Sequence, residues 1–182
     1  MLTSTTIIGQ KRGKALTVAH IEKNPIDVEF ISQPNEELYL IALKHCPRKI
    51  EEFDKVLKLI PQDYLSDEFL LKYIQENPYI LEHSDLENKS ADFYLQVVQQ
   101  NGYALRFLRQ QTPEICLAAV QQDGEALRYV RQQTAEICLA AVKRNPSLIC
   151  SRVQQQTPEI CLAAVQQNGY LLRYVQQQTP EI

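Results

Sequence analysis

No apolar run in this chain approaches the ~20 residues that a membrane-spanning helix needs. The opening stretch, Met1 to Lys14, also has no apolar core of signal-peptide length. These two absences argue against membrane insertion and Sec-type export and predict a cytoplasmic protein, with delivery into a host cell by another route left open. The signatures of phosphate-binding loops, serine hydrolases, zinc proteases and paired-cysteine redox centres are missing as well. Gly9-Gln10-Lys11-Arg12-Gly13-Lys14 has glycines and cations but no P-loop spacing, and reads as a solvated tail. His20, His45 and His83 are scattered without ligand spacing. No catalytic residue, metal site or cofactor is therefore expected. Five cysteines are an odd number, which fits small buried side chains in a reducing compartment better than a disulfide framework. A net charge of −3 gives no overall pull toward nucleic acid or an anionic membrane.

What the chain does have is repetition. Thr112 to Gln133 (TPEICLAAVQQDGEALRYVRQQ) starts again at Thr134, at Thr157 and at Thr179, with spacings of twenty-two, twenty-three and twenty-two residues. Thr112 suits an N-cap, Pro113 the first helical position and Glu114 the positive end of the helix dipole. Ile115 to Val120 is apolar on every side, so this helix should be buried on most faces. Gly124 is suited to the left-handed turn that ends helices. A second short segment, Glu125 to Arg131, carries Ala126, Leu127 and Val130 at helical spacing. Each unit reads as an αα-hairpin, and helices this short need stacked neighbours to be stable. The leucine-rich alternative fails because its Leu/Asn pattern is absent and alanine is poor in strands.

The fold class predicted is all-α, a solenoid of tandem short helical hairpins with a period of about 22 residues. Residues 1–12 form a tail or N-terminal cap, and residues 13–89 form degenerate repeats with an insertion near 54–62. Residues 90–182 form near-identical repeats, the last of them truncated. In the degenerate part, Ala15 to Ile21 aligns with the first helix, and units open at Asn35, Ser66 and Ser90. Breaks fall at Asn24-Pro25, Cys46-Pro47 and Asn77-Pro78. Residues 1–89 hold eleven Lys/Arg against fifteen Asp/Glu, a net of −4; residues 90–182 hold eight against seven, a net of +1. Seven full units are expected, with four residues of an eighth. The open end suggests a fragment of a longer array, or a surface through which the chain associates with itself.

The pattern T-P-E-I-C-L-A-A-V-Q-Q-N/D-G-x-x-L-R-Y/F strongly resembles the short repeats known as domain of unknown function 4116, from bacterial and large-virus proteins. The likeness is strongest over Ser90 to Ile182 and fades before Ser66. Thr157 to Gln178 follows it throughout; the Thr134 unit departs at Ala135, Asn145-Pro146 and Cys150. The resemblance implies a helical tandem repeat and, by analogy, binding of other macromolecules. It supplies no catalytic residues.

Arg106, Arg128 and Arg173 share one repeat position, and Arg109 and Arg131 share another three residues on. Phe107, Tyr129 and Tyr174 stand beside the first set, and Tyr103 and Tyr170 open two of the segments. Stacking would repeat such positions at ~10 Å, giving a striped face of residue types favoured at binding hot spots. The expected function is a non-enzymatic scaffold for a protein partner, with Arg106, Arg109, Arg128, Arg131, Arg173, Tyr129 and Tyr174 as the contact residues. The plainer reading of the column itself, preferred on the residues alone, pairs each arginine with Glu114, Glu136, Glu159 or a neighbour's carboxyl while the rings fill the core; the competing function is a structural spacer or self-assembling array serving another domain. Nucleic acid ranks third, because backbone binding needs a clear basic excess. The cysteine column of Cys116, Cys138 and Cys161 cannot share one zinc, whose sulfur ligands lie about 2.3 Å away. The glutamines that close each second segment read as uncharged surface residues satisfied by water rather than as a polar ladder along one edge.

Overall fold

The computed structural model of the chain describes residues 6–11, 14–31, 34–45, 50–76, 78–82 and 89–178. The Cys46-Pro47 break, Asn77, His83 and the partial repeat at 179–182 lie outside them. The described chain is mostly helical, with one small two-stranded sheet. It divides into two compact units, Met1–Asn77 and Pro78–Ile182.

The first unit opens with an antiparallel hairpin of β1 (Ile7–Lys11) and β2 (Lys14–Thr17). This corrects two expectations. Residues read as a tail are a strand, and Ala15 and Leu16, read as helix, belong to its partner. Helix α1 (Val18–Lys23) starts only at the N-cap Thr17, whose hydroxyl accepts from the His20 N–H at 3.3 Å. A 3-10 segment, Pro25–Phe30, follows the break at Asn24. Then come α2 (Glu36–His45), α3 (Ile50–Leu59) and α4 (Asp67–Glu76). Helix α3 covers the expected insertion, and its Val56 and Leu57 are buried beside Ile60. Leu16, Ile21, Val28, Leu43, Phe69 and Ile74 are also buried, and the Tyr73 hydroxyl donates to the Leu43 carbonyl at 3.0 Å.

The hairpin is tied to this core by a charge. Asp27 is only 3% exposed. It accepts from Lys11 of β1 through one oxygen and from His20 Nε2 of α1 through the other, at 2.8 Å. Burial pushes its carboxyl up, but the hydrogen bonds and charges of Lys11 and His20 more than offset this, and it titrates below the ordinary carboxylate value. A depressed carboxylate contributes stability that is present above its unfolded value and lost as pH falls through its folded one. Asp27→Asn should therefore cost about 1–2 kcal/mol at neutral pH. The difference from wild type should shrink under acid conditions, below the folded value. Hydrogen exchange at residues 7–17 reads this directly; unchanged protection at neutral pH would refute it.

The second unit is built from α5 (Ala91–Gln100), α6 (Pro113–Gln122), α7 (Ala135–Arg144) and α8 (Pro158–Gln167). Each α-helix contacts the next. Ser90, Thr112, Thr134 and Thr157 cap them as the sequence predicts, each accepting from an N–H three residues on, at 3.2–3.3 Å. The six-residue apolar run is buried on one side more than the other. Ile115, Cys116, Ala119 and Val120 are buried, while Leu117 and Ala118 are half-buried.

The second segments are not α-helices. Gly102–Phe107, Gly124–Tyr129, Pro146–Cys150 and Gly169–Tyr174 are 3-10 turns of five or six residues. Segments so short gain little from α-type bonds, and Asn101, Asp123, Asn145 and Asn168 each cap them by accepting from the N–H two residues on. Nor does Gly124 take a left-handed conformation. Helix α6 ends at Asp123 in extended backbone, φ −141°. The glycine is instead a point of close approach to the following helix.

Candidate functional site

Two columns of side chains, one of glutamines and one of cysteines, recur at the junctions between successive repeats of the second unit. The most specific column is made of glutamines. Gln111, the residue before the N-cap Thr112, donates from Nε2 to Leu105 O in its own repeat (3.3 Å) and to Tyr129 O in the next (3.0 Å). Its Oε1 accepts from the Arg131 N–H at 3.1 Å and faces the Cys116 thiol at 3.7 Å. Gln156 repeats the arrangement with Ile149 O, Tyr174 O, Gln176 N and Cys161. Gln133 does so with Arg152 O, Gln154 N and Cys138. A primary amide has two donors and two acceptor lone pairs, and this position uses both sides to bridge two backbones. Of the two readings of the glutamines, the polar ladder is the one found. It consists of Gln111, Gln133 and Gln156, whereas Gln110, Gln132 and Gln155 are exposed.

The cysteines sit behind this ladder. Cys116, Cys138 and Cys161 are buried, and burial raises each thiol above its ordinary value. They are small apolar side chains that also offer a weak S–H donor to the glutamine oxygen. Cys150 is the exposed cysteine among the described residues.

Arg131 belongs partly to the scaffold. Its guanidinium donates to Leu108 O at 3.1 Å and to Arg109 O, both in the preceding repeat. The sequence reading names it as a contact residue; two of its five donors are taken by backbone.

Arg106, Arg128 and Arg173 are different. All three are exposed and lie on the 3-10 segments. Each stacks on an aromatic neighbour. Arg106 lies 5.8 Å and 5.5 Å from the ring centres of Tyr103 and Phe107, Arg128 lies 5.3 Å from Tyr129, and Arg173 lies 4.8 Å from Tyr174. The Tyr103 hydroxyl accepts from Arg106 at 2.6 Å. Tyr103 also meets Tyr129 of the next repeat edge-on, with ring centres 5.4 Å apart. Among the described residues, Arg128 and Arg173 make no ion pair with a carboxylate. The expected pairing with Glu136 and Glu159 is therefore not what positions them; stacking is. Phe107 is buried, Tyr129 half-buried, Tyr174 41% exposed and Tyr170 84% exposed. The rings thus run from core to surface along the row.

One hollow opens between repeats, with a volume of about 290 Å³. Its lining mixes Arg109, Gln111, Arg131, Gln132 and Thr134 with Pro113, Cys116 and Ile137. No group of three or more His, Cys, Asp or Glu among the described residues is placed to hold a metal ion. Among the same residues no helix is long and apolar enough to cross a membrane.

A family model described as Domain of unknown function (DUF4116) matches residues 90–133, the stretch from the α5 cap through the Thr112 repeat. No curated protein matches the chain. No solved structure matches it.

Proposed function

We propose that the chain is a non-enzymatic helical-repeat scaffold, a solenoid of about 22-residue units that presents its Arg/Tyr row to a protein partner. The carrying observation is the stacking of Arg106, Arg128 and Arg173 on rings at one repeat position. A guanidinium stacked on a ring loses less side-chain freedom when it docks, which lowers the cost of ordering an interface. Arginine and tyrosine are also the types that dominate binding energy in interfaces. The ladder of Gln111, Gln133 and Gln156 supports the solenoid, since each amide can bridge only units held at a constant spacing. A spacer array, or self-association through the last unit, remains the competing reading. A net charge of −3 speaks against nucleic acid.

The test is a pull-down from cytosol, with mass spectrometry, using the chain and a triple variant, Arg106→Glu, Arg128→Glu and Arg173→Glu, of matched helicity. A partner retained by the chain and lost by the variant is the expected result. The same proteins on both baits would overturn the Arg/Tyr face and leave the spacer.

A further inference from the structure

Asparagine followed by glycine is a chemically labile pair, because glycine leaves its own nitrogen free to reach the asparagine side chain. The same six residues, Val-Gln-Gln-Asn-Gly-Tyr, occur twice here, as Val98 to Tyr103 and as Val165 to Tyr170. Their intrinsic reactivity is therefore matched, and only the surroundings differ. Asn101 is half-buried and Gly102 buried. The Gly102 N–H donates to Gln122 Oε1 at 2.8 Å, and the same amide donates back to the Gln100 carbonyl at 3.4 Å. The Ala119 carbonyl oxygen lies 2.6 Å from where a Cβ on Gly102 would sit, so this peptide has no room to rotate while the repeats stay stacked. Asn168 and Gly169 are exposed. Among the described residues nothing stands within 4 Å of the same point on Gly169.

We infer that Asn168 is a site of spontaneous deamidation, and that stacking of the Thr112 repeat on the α5 repeat shields its twin, Asn101. The reaction needs only water. The Gly169 nitrogen gives its proton to hydroxide and bonds to Asn168 Cγ. The side-chain nitrogen leaves as ammonia, taking up a proton from water, and a five-membered imide remains. Water then adds to one of the two imide carbonyls and opens the ring, leaving aspartate or its β-linked isomer. The other two capping positions bear on the outcome. Asn145 is followed by Pro146, which has no N–H to lose, so the ring cannot close there. The remaining position already holds an aspartate. Asp123 accepts from the Glu125 N–H at 3.0 Å, as Asn168 accepts from the Tyr170 N–H at 3.1 Å, with φ −141° against −149°. The aspartate product therefore keeps the cap, and it adds one negative charge at the head of the segment that carries Arg173. The β-linked isomer puts an extra carbon into the backbone and loses the cap. The inference does not depend on what the Arg/Tyr row binds.

The whole folded chain would be held in mildly alkaline buffer, digested at intervals and mapped by mass spectrometry, which reads the amide-to-acid change at each asparagine. Conversion of Asn168 roughly tenfold or more faster than Asn101 is expected, since Asn101 must wait for local opening of its junction. In urea the two should convert at equal rates. Equal rates in the folded chain, or an Asn168 that stays intact while the urea sample converts, would overturn the inference. Gly169→Ala, which the open surroundings of Gly169 permit, should slow conversion at Asn168 by hindering ring closure. An unchanged rate would point to direct hydrolysis of the amide and overturn the route. Asn168→Asp should leave the urea midpoint unchanged; a lowered midpoint would overturn its equivalence with Asp123.

Discussion

Gly102→Ala is expected to destabilise the second unit by about 3 kcal/mol, at the upper end for an overpacked site. The same change at Gly169 is expected to be neutral or to stabilise by about 0.5 kcal/mol. The two glycines open equivalent 3-10 segments and differ in what faces them. A Cβ on Gly102 would lie 2.6 Å from the Ala119 carbonyl oxygen and 2.9 Å from Gln122 Oε1. The first is backbone of the next helix and cannot swing aside, so repeats would have to separate locally. The glutamine is also engaged, accepting from the Gly102 N–H at 2.8 Å. Gly124 is an intermediate case, with the Ala141 carbonyl oxygen at 3.0 Å, and alanine there should cost about 1–2 kcal/mol. Among the described residues Gly169 has nothing within 4 Å, and none of the three takes a left-handed φ that only glycine tolerates. Urea midpoints of the three variants test the order. Equal midpoints for Gly102→Ala and Gly169→Ala would show that close approach is not why glycine is there.

Features whose cause is local in sequence were legible. Thr112, Thr134 and Thr157 cap helices because a hydroxyl at that offset can reach an N–H three residues on, whatever the rest of the chain does. The break at Asn24-Pro25 is local too, because proline cannot continue the preceding helix. Features that depend on partners distant in sequence were not. Lys14 to Thr17 pairs with a strand, although Ala15 and Leu16 favour a helix when read alone. The second segments carry helical spacing, but periodicity over six residues does not separate a 3-10 turn from an α-helix. Repeat position located the arginines without giving their direction. Arg128 lies over a ring and Arg131 turns back onto carbonyls, and both look alike as letters. The buried Asp27 also left no mark, since its partners are drawn from the hairpin and from α1.

Gln111→Ala is expected to cost about 2–4 kcal/mol, whereas its neighbour Gln110→Ala should change stability by no more than about 0.5 kcal/mol. The pair is a sharp comparison because the two residues are chemically identical and adjacent. Gln110 is exposed. Gln111 bridges Leu105 O, Tyr129 O and the Arg131 N–H. Alanine would strand two part-buried carbonyls and the exposed Arg131 N–H, each costing about 1 kcal/mol where water enters and more where it does not. Gln111→Glu should be at least as harmful. Its carboxylate could still accept from Arg131 N, but it would face the Leu105 and Tyr129 carbonyls without a donor. The loss should also appear chemically. The Cys116 thiol faces Gln111 Oε1, and burial keeps its pKa raised, so it should alkylate slowly in the wild type. Opening the junction should speed its alkylation in Gln111→Ala, with Cys138 and Cys161 left slow as internal controls. Equal urea midpoints for the Gln110 and Gln111 variants, with Cys116 equally slow in both, would mean the bridging amide is incidental to the stacking.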